Sequence, residues 1–312
     1  MFFKRFSSAA KETQPVEPTS TQPVYILGES PLALFLAAKL TQNGNKVILL
    51  NSKAPATSYQ NTEFCLKEEY NLQKNNFCIP ATSRISTEPQ MIIVASNLYS
   101  LKSNLSLLPG KSFPNCPLIC FNYLENQDII RSMFGSKAVQ AYFKGYLEQD
   151  GTTVTAVGPL PQITISATKD EKFGTVFQNS DIKITEQSNN SINFWEHFAP
   201  FIIGYLSSAP KQHMGDLLND RENKKQISSA INEICKLAAF EQAPLSENDL
   251  FRQLLETPRN FYFKKNRKQR THEAAELDSY YSLLIGKART YKCKIPQICL
   301  LIKNNYNQLL KK

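Results

Sequence analysis

The sequence predicts an α/β domain built on a doubly wound parallel sheet, followed by an all-α domain. Three observations carry that expectation. Short apolar runs alternate with helical patterns from residue 24 to about 134. A stretch rich in β-branched residues then runs from 137 to 186, and after the polar run "SNNSIN" (188–193) every periodic segment has helical spacing. Alternating strands and helices call for a parallel sheet, and a run of amphipathic segments joined by short turns calls for a bundle.

The stretch "VYILGESPLALFLAAKL" (24–40) sets the chemistry. An apolar run ends at Gly28 and a helix pattern opens at Pro31, a residue suited to the first helical turn. This is the strand, turn and helix of a Rossmann-type dinucleotide fold, whose turn reads G-x-G-x-x-G/A. Here the three small positions are Gly28, Ser30 and Ala33, and all three are candidate cofactor-binding residues. Gly28 allows the bend, Ser30 brings a hydroxyl to the phosphate approach, and Ala33 permits close helix packing. Glu29 brings a negative charge that opposes an anion unless it points outward. After the second strand comes "NSK" (51–53), with no acid for a ribose 2′-hydroxyl, while Lys53 suits a 2′-phosphate. A bound cofactor is therefore expected to be NADP (NADPH) rather than NAD. The alternative is that the turn is architecture alone.

The remaining elements follow in order. A strand is expected over 24–28, a helix over 31–43, and a turn with a second strand over 44–51. Residues 52–88 read as irregular. Strands are expected at 91–96 and 116–122, with a helix at 98–108 and another starting at 126–134. Sheet extension and edge strands are expected within 137–186. Helices are expected over 194–207, 213–240, 246–256, 259–290 and 296–311, the last opened by Pro296. The domains so defined are a disordered leader (1–22), a dinucleotide-binding domain (23–190) and a helical domain (191–312). The leader is rich in Ser, Thr, Gln and Pro and cannot bury a core; its basic start slightly resembles an organelle transit segment.

Composition narrows the class. The 312 residues suffice for two cores, and 42% apolar with 20% charged residues is ordinary for a globular chain. The longest apolar runs, such as "FAPFIIGYL" (198–206), are too short to span a bilayer. The net charge of +9 favours anionic partners. Seven cysteines without C-x-x-C spacing read as buried thiols of a cytoplasmic protein, with no metal site. "RNFYFKKNRKQR" (259–270) interleaves basic and aromatic residues, a pattern that can bind single strands of nucleic acid. It is read instead as a helix with its aromatics packed inward and its charges solvated or lining a cleft.

Three further stretches carry a resemblance: "LICFNYLEN", "NFWEHFAPFIIGYL" and "HEAAELDSYYSLLIGKARTYKCKIP". In order and spacing they resemble the ketopantoate reductases (2-dehydropantoate 2-reductases) of the 6-phosphogluconate-dehydrogenase-like group, over residues 24–310. The resemblance implies an NADPH-dependent reductase of 2-dehydropantoate, as in pantothenate biosynthesis, or of a related small 2-oxo acid. It implies a site in the cleft between the two domains and leaves a homodimer open, with neither nucleic acid nor membrane as partner.

Residue by residue, the family's catalytic lysine falls on His197. Its two helix asparagines fall on Phe201 and Tyr205, its carboxylate-binding serine near Lys264, and its hydroxyl-binding acid on Glu276. The first-domain asparagine falls on Asn122 and a family lysine on Asn97. Glu276 and Asn122 match the pattern; the others depart from it. The resemblance thus assigns catalysis to His197, Glu276 and Asn122, substrate binding to Lys264 and Tyr205, and further cofactor contacts to Asn97 and Asn122. In this reading His197 donates a proton near neutral pH and Lys264 supplies the cation. The alternative is a decayed site in a protein that binds partners through the cleft or the basic segment 259–270, because Phe201 and Tyr205 remove donors and fill space.

Overall fold

A computed structural model of the chain describes residues 22–96, 98–108, 116–121, 138–166, 176–178, 180–208, 212–263 and 270–310, with side chains described at all of these except 98–100, 102, 270–276 and 308–310. The expected leader and the helix expected at 126–134 lie outside the described residues.

The described residues of the first half form a nine-stranded sheet. Its parallel part runs in the order β4 (Gln73–Thr82), β2 (Val47–Leu50), β1 (Val24–Leu27), β5 (Met91–Val94), β6 (Leu118–Phe121), β7 (Ala138–Asp150). In sequence order of the parallel strands this is 3-2-1-4-5-6, the order of dinucleotide-binding sheets. The strand β1 pairs with β2 on one side (Leu27↔Leu50) and β5 on the other (Leu27↔Val94), so the strand order reverses at its carboxyl end.

Every residue of β1, β2, β5 and β6 is buried, which explains their near-continuous apolar composition. Alternate residues feed two cores. Val24, Ile26, Leu49 and Ile93 pack with helix α1 (Pro31–Gln42), and Tyr25, Leu27, Ile48 and Val94 pack with Leu101 and Leu105 of α2 (Leu98–Leu105). Helices on both faces make the sheet doubly wound.

Two features depart from the expected pattern. Residues expected to be irregular form an antiparallel hairpin of β3 (Gln60–Glu68) and β4, with Phe64 stacked on Phe77 at 5.5 Å between ring centroids. The strand β3 also pairs with the start of β8 (Thr153–Ser166), Cys65 opposite Thr153, while the end of β8 pairs with β9 (Lys183–Gln187). A register shift between Lys144 and Tyr146 marks the β7–β8 ladder, and such irregularities bend a strand. The sheet therefore wraps around α1, which contacts β1, β2, β3, β7 and β8 and is buried from Ala33 through Leu40.

Among the described residues every element after β9 is helical: α3 (Asn190–Ser207), α4 (Met214–Asn219), α5 (Arg221–Phe240), α6 (Glu247–Leu255), α7 (Arg270–Thr290) and α8 (Pro296–Leu310). The helix expected over 213–240 is two, divided at Asp220. That carboxylate accepts from the N–H groups of Glu222 and Asn223 at 3.1 and 2.8 Å and so starts α5 afresh. The helix expected from 259 is described over Arg270–Thr290, and residues 259–263 are not helical. Trp195, Phe198 and Ile202 of α3 fill the bundle core. The Trp195 indole N–H donates to Glu241 at 2.9 Å, and Glu241 also holds Lys287 in the last turn of α7 and Tyr291 just past it. Glu233 of α5 accepts from the N–H groups of Gln297 and Ile298, each at 2.9 Å, closing the start of α8. All seven cysteines are free; Cys116 and Cys120 are buried, but Cys78 and Cys299 are exposed, so the expectation of buried thiols holds only in part.

Candidate functional site at the carboxyl edge of the sheet

The carboxyl edge of a doubly wound sheet is where backbone loops open and ligands bind, at the point of strand-order reversal. The Gly28 turn lies there. Gly28 has φ 125°, and a Cβ at this residue would lie 3.0 Å from the Ala95 carbonyl oxygen and 3.1 Å from Ser96. Its N–H donates to the Leu50 carbonyl at 3.2 Å. The turn is thus pressed between the ends of β2 and β5, a packing only glycine permits.

Ser30 is the N-cap of α1. Its hydroxyl accepts from the Ala33 N–H at 3.1 Å and donates to the Ala95 carbonyl oxygen. The expectation that this hydroxyl binds a phosphate is therefore corrected: it turns inward and is engaged by the fold. Ala33 is fully buried beneath the helix start, the close-packing position its size allows.

Glu29 and Lys53 pair with each other, Nζ to Oε2 at 3.0 Å, and Asn51 donates from Nδ2 to the second Glu29 oxygen. Asn51 Oδ1 in turn accepts from the Lys53 backbone N–H at 2.9 Å. Lys53 was expected to stand free for a 2′-phosphate. Instead it stands beside a carboxylate, in an exposed pair of the kind worth about 0–1 kcal/mol.

The second group at this edge comes from β7 and α3. Tyr142 follows Ala141, the last residue of β7 in register with β6. Its ring stacks on His197 at 5.4 Å and its hydroxyl donates to the Asn190 carbonyl at 3.3 Å. His197 Nδ1–H donates to the Asn193 carbonyl at 2.8 Å, which leaves the lone pair on Nε2. That Nε2 is covered and has no hydrogen-bond partner among the described residues.

Burial holds the His197 pKa down at about 4, and the Lys144 charge pushes the same way, against the opposing pull of the Asn193 carbonyl. The expectation of a proton donor near neutral pH is corrected accordingly: the ring is neutral there and offers an acceptor. Gln140, Tyr142 and Lys144 alternate along one face of β7, and Asn190, Asn193 and His197 recur along one face of α3. Gln140 Oε1, Asn190 Oδ1 and Asn193 Oδ1 are likewise covered acceptors without a partner among the described residues. The period of 2 in "AVQAYFK" and the i, i+3, i+7 spacing in "NSINFWEH" were the signals for this cluster. They were missed because each segment also reads as ordinary structure.

One and two turns further along α3 the residues become aromatic. Phe201 is 36% exposed and meets Tyr205, Phe263 and Tyr280 at 6.0, 6.2 and 5.7 Å. Tyr205, expected to bind substrate, is instead buried in the bundle core, with Tyr280 edge-on at 5.5 Å. Residues 258–263 strap this region to the sheet. His213 donates to the Pro258 carbonyl at 3.2 Å, Asn260 donates to Glu69, and Phe261 packs on Tyr146 at 4.7 Å. Phe261 and Phe263 of the basic segment thus pack inward as expected, although from a loop.

Asn97, Asn122 and Lys264 lie outside the described residues, as does the side chain of Glu276. Among the described residues no group of three or more His, Cys, Asp or Glu is placed to hold a metal ion, and no helix is long and apolar enough to cross a membrane.

No family model matches the chain, and no curated protein matches its sequence. Solved structures do match its fold. D-mandelate dehydrogenase, in a ternary structure with NADH and anilino(oxo)acetate, superposes with a TM-score of 0.74 at 13% identity, over 92% of this chain and 98% of that one. A 2-dehydropantoate 2-reductase from Geobacter metallireducens GS-15 gives 0.72 at 13% identity, over 90% and 98%. The dimeric ketopantoate reductase from Staphylococcus aureus gives 0.69 at 15% identity, over 92% and 99%. Over nine-tenths of its length, then, this chain has the fold of D-mandelate dehydrogenase and of ketopantoate reductases, the latter being the resemblance that its sequence order implied.

Proposed function

We propose that the protein is an oxidoreductase that passes hydride between a nicotinamide dinucleotide and a small 2-oxo or 2-hydroxy acid. One observation carries the reading: the strand order reverses at the glycine turn that opens α1, and α3 packs against β7 at the same carboxyl edge. When bound, the dinucleotide supplies or accepts the hydride; the protein's part is to hold it, orient the acid and manage one proton. The pyrophosphate fits the Gly28 turn and the start of α1, where unsatisfied N–H groups face an anion.

His197 does not donate the proton at neutral pH, so that role passes to another polar group of the cleft. The resemblance offers Glu276 and Asn122 to orient the substrate and Lys264 to hold its carboxylate. Lys144 adds a described cation beside His197. The proteins matched act on 2-dehydropantoate and D-mandelate by name, and the exposed Phe201 ring beside Phe263 suits an acid with an aromatic body as well as 2-dehydropantoate. A dimer, as in the Staphylococcus aureus protein, accompanies the reading.

The test is calorimetric titration of the full chain with NADH and NADPH, followed by an absorbance assay with 2-dehydropantoate and with phenylglyoxylate. Saturable micromolar binding and turnover of either acid are expected. A second reading, a non-catalytic binding protein, is favoured by the covered Nε2 of His197 and the buried Tyr205; cofactor binding without turnover of any 2-oxo acid selects it.

A further inference from the structure

A carboxylate stands at the end of β2 although the sequence places none there. In dinucleotide folds the adenosine ribose lies between the glycine turn and the end of the second strand, and an acid at that strand end bonds its hydroxyls and repels a 2′-phosphate. The residues after β2 are Asn51, Ser52 and Lys53, which reads as a site for NADP. Glu29 changes this. It belongs to the glycine turn, yet its two oxygens are held by the Asn51 amide and the Lys53 ammonium, so its charge lies at the β2 end rather than over the pyrophosphate approach. Asn51 is itself fixed, its own Oδ1 accepting from the Lys53 backbone N–H at 2.9 Å. The pair is open to a ligand, with Glu29 48% and Lys53 80% exposed.

We infer that Glu29 is the ribose-binding carboxylate of this protein, supplied from the turn instead of from the strand, and that it selects NADH over NADPH. The inference rests on the dinucleotide reading above. Lys53 neutralises Glu29 in the free protein, and Asn51 sets its direction. A ribose diol donates hydrogen bonds to such a carboxylate, whereas a 2′-phosphate meets its negative charge at hydrogen-bond range. The basic Lys53, read alone, pointed to the opposite cofactor; its partner reverses the sign.

Calorimetric titration of the full chain with NADH and with NADPH tests this directly. Wild type is expected to bind NADH about tenfold or more tightly than NADPH, the scale of one charge-assisted contact. Glu29→Gln keeps the size and the Asn51 contact but frees Lys53, so NADPH should tighten about tenfold and the preference vanish or reverse. Adding Lys53→Ala to Glu29→Gln should remove that gain for NADPH. Both sites are exposed, so the melting temperatures of the free variants should match wild type. Equal affinity of wild type for the two dinucleotides, or an unchanged preference in Glu29→Gln, overturns the assignment of Glu29 and leaves the dinucleotide reading standing. Binding of neither dinucleotide at millimolar concentration overturns both.

Discussion

His197 occupies a place where a charged proton donor was expected and carries instead a neutral ring that stacks on Tyr142. The reason is local. Its Nδ1–H is committed to the carbonyl four residues back, its Nε2 is covered, and the Lys144 charge is near. A histidine whose folded pKa lies at about 4, below the ordinary 6.5, contributes stability that is fully present above pH 6.5 and is lost as pH falls from 6.5 toward 4, because the unfolded chain binds the proton first. From pH 7 to pH 5 that loss is about 2 kcal/mol. His197→Phe keeps the stacking and removes the titration. Urea denaturation at the two pH values should therefore show wild type losing about 2 kcal/mol more than the variant. An equal loss in both proteins would mean that the ring is protonated and solvated after all. The neutral ring also explains why the second reading of the site survives at the scale of this one residue: the acceptor is in place, and the donor is not.

At the scale of elements, the strap at 258–263 depends on a gap in α3. A Cβ on Gly204 would overlap the Phe263 ring, which is held in turn by Phe261 at 5.2 Å and Phe201 at 6.2 Å. In a helix Gly→Ala gains about 1 kcal/mol of propensity, and overpacking costs about 1–3 kcal/mol. Because Gly204 is buried and its neighbour is a ring fixed on two sides, the cost should win. Gly204→Ala is expected to destabilise by about 1 kcal/mol or more, and Phe263→Leu in the same chain to recover most of it. A double-mutant cycle measured by denaturation checks this; a more stable Gly204→Ala protein would show that the strap moves freely.

The same elements show what was legible in the sequence. The strands β1, β2, β5 and β6 were, because a strand buried on both faces leaves an unbroken apolar run. The helix α1 was, because Pro31 and the turn mark its start. The hairpin β3–β4 was not: only Phe64, Leu66 and Glu68 of β3 are buried, so its period of 2 is drowned by polar residues and one of its inward residues is an acid. The turn position of Glu29 was legible, but not its reach to Asn51, since that contact crosses from one element to the next.

At the scale of the whole molecule, the wrapped sheet encloses an ion pair that no local pattern announces. Lys39 is the lone charge in the apolar run of α1 and is only 2% exposed. Its ammonium lies 2.9 Å from Glu68, 1% exposed at the end of β3, and 3.2 Å from Asp181 just before β9. Tyr70 donates to the same Glu68 oxygen, and burial first, then that carboxylate, raises the Tyr70 pKa. One lysine thus ties the enclosed helix to the two places where the sheet folds over it. Taking both charges from water is costly, and their attraction roughly offsets it, so the pair contributes position more than stability. Removing one partner is another matter, because it leaves the other buried and alone. Lys39→Met is expected to cost about 3–5 kcal/mol in denaturant unfolding. Lys39→Met with Glu68→Leu, which removes both charges at similar volume, should recover most of that loss and lie within about 1–2 kcal/mol of wild type. The expected gap between single and double variants is large enough to read from midpoints alone, and its absence would show that Glu68 reaches solvent once Lys39 is gone, through an opening of β3 away from α1. In that case the wrap is held by the β3–β8 ladder and the apolar core, and the ion pair is a consequence of the closed sheet.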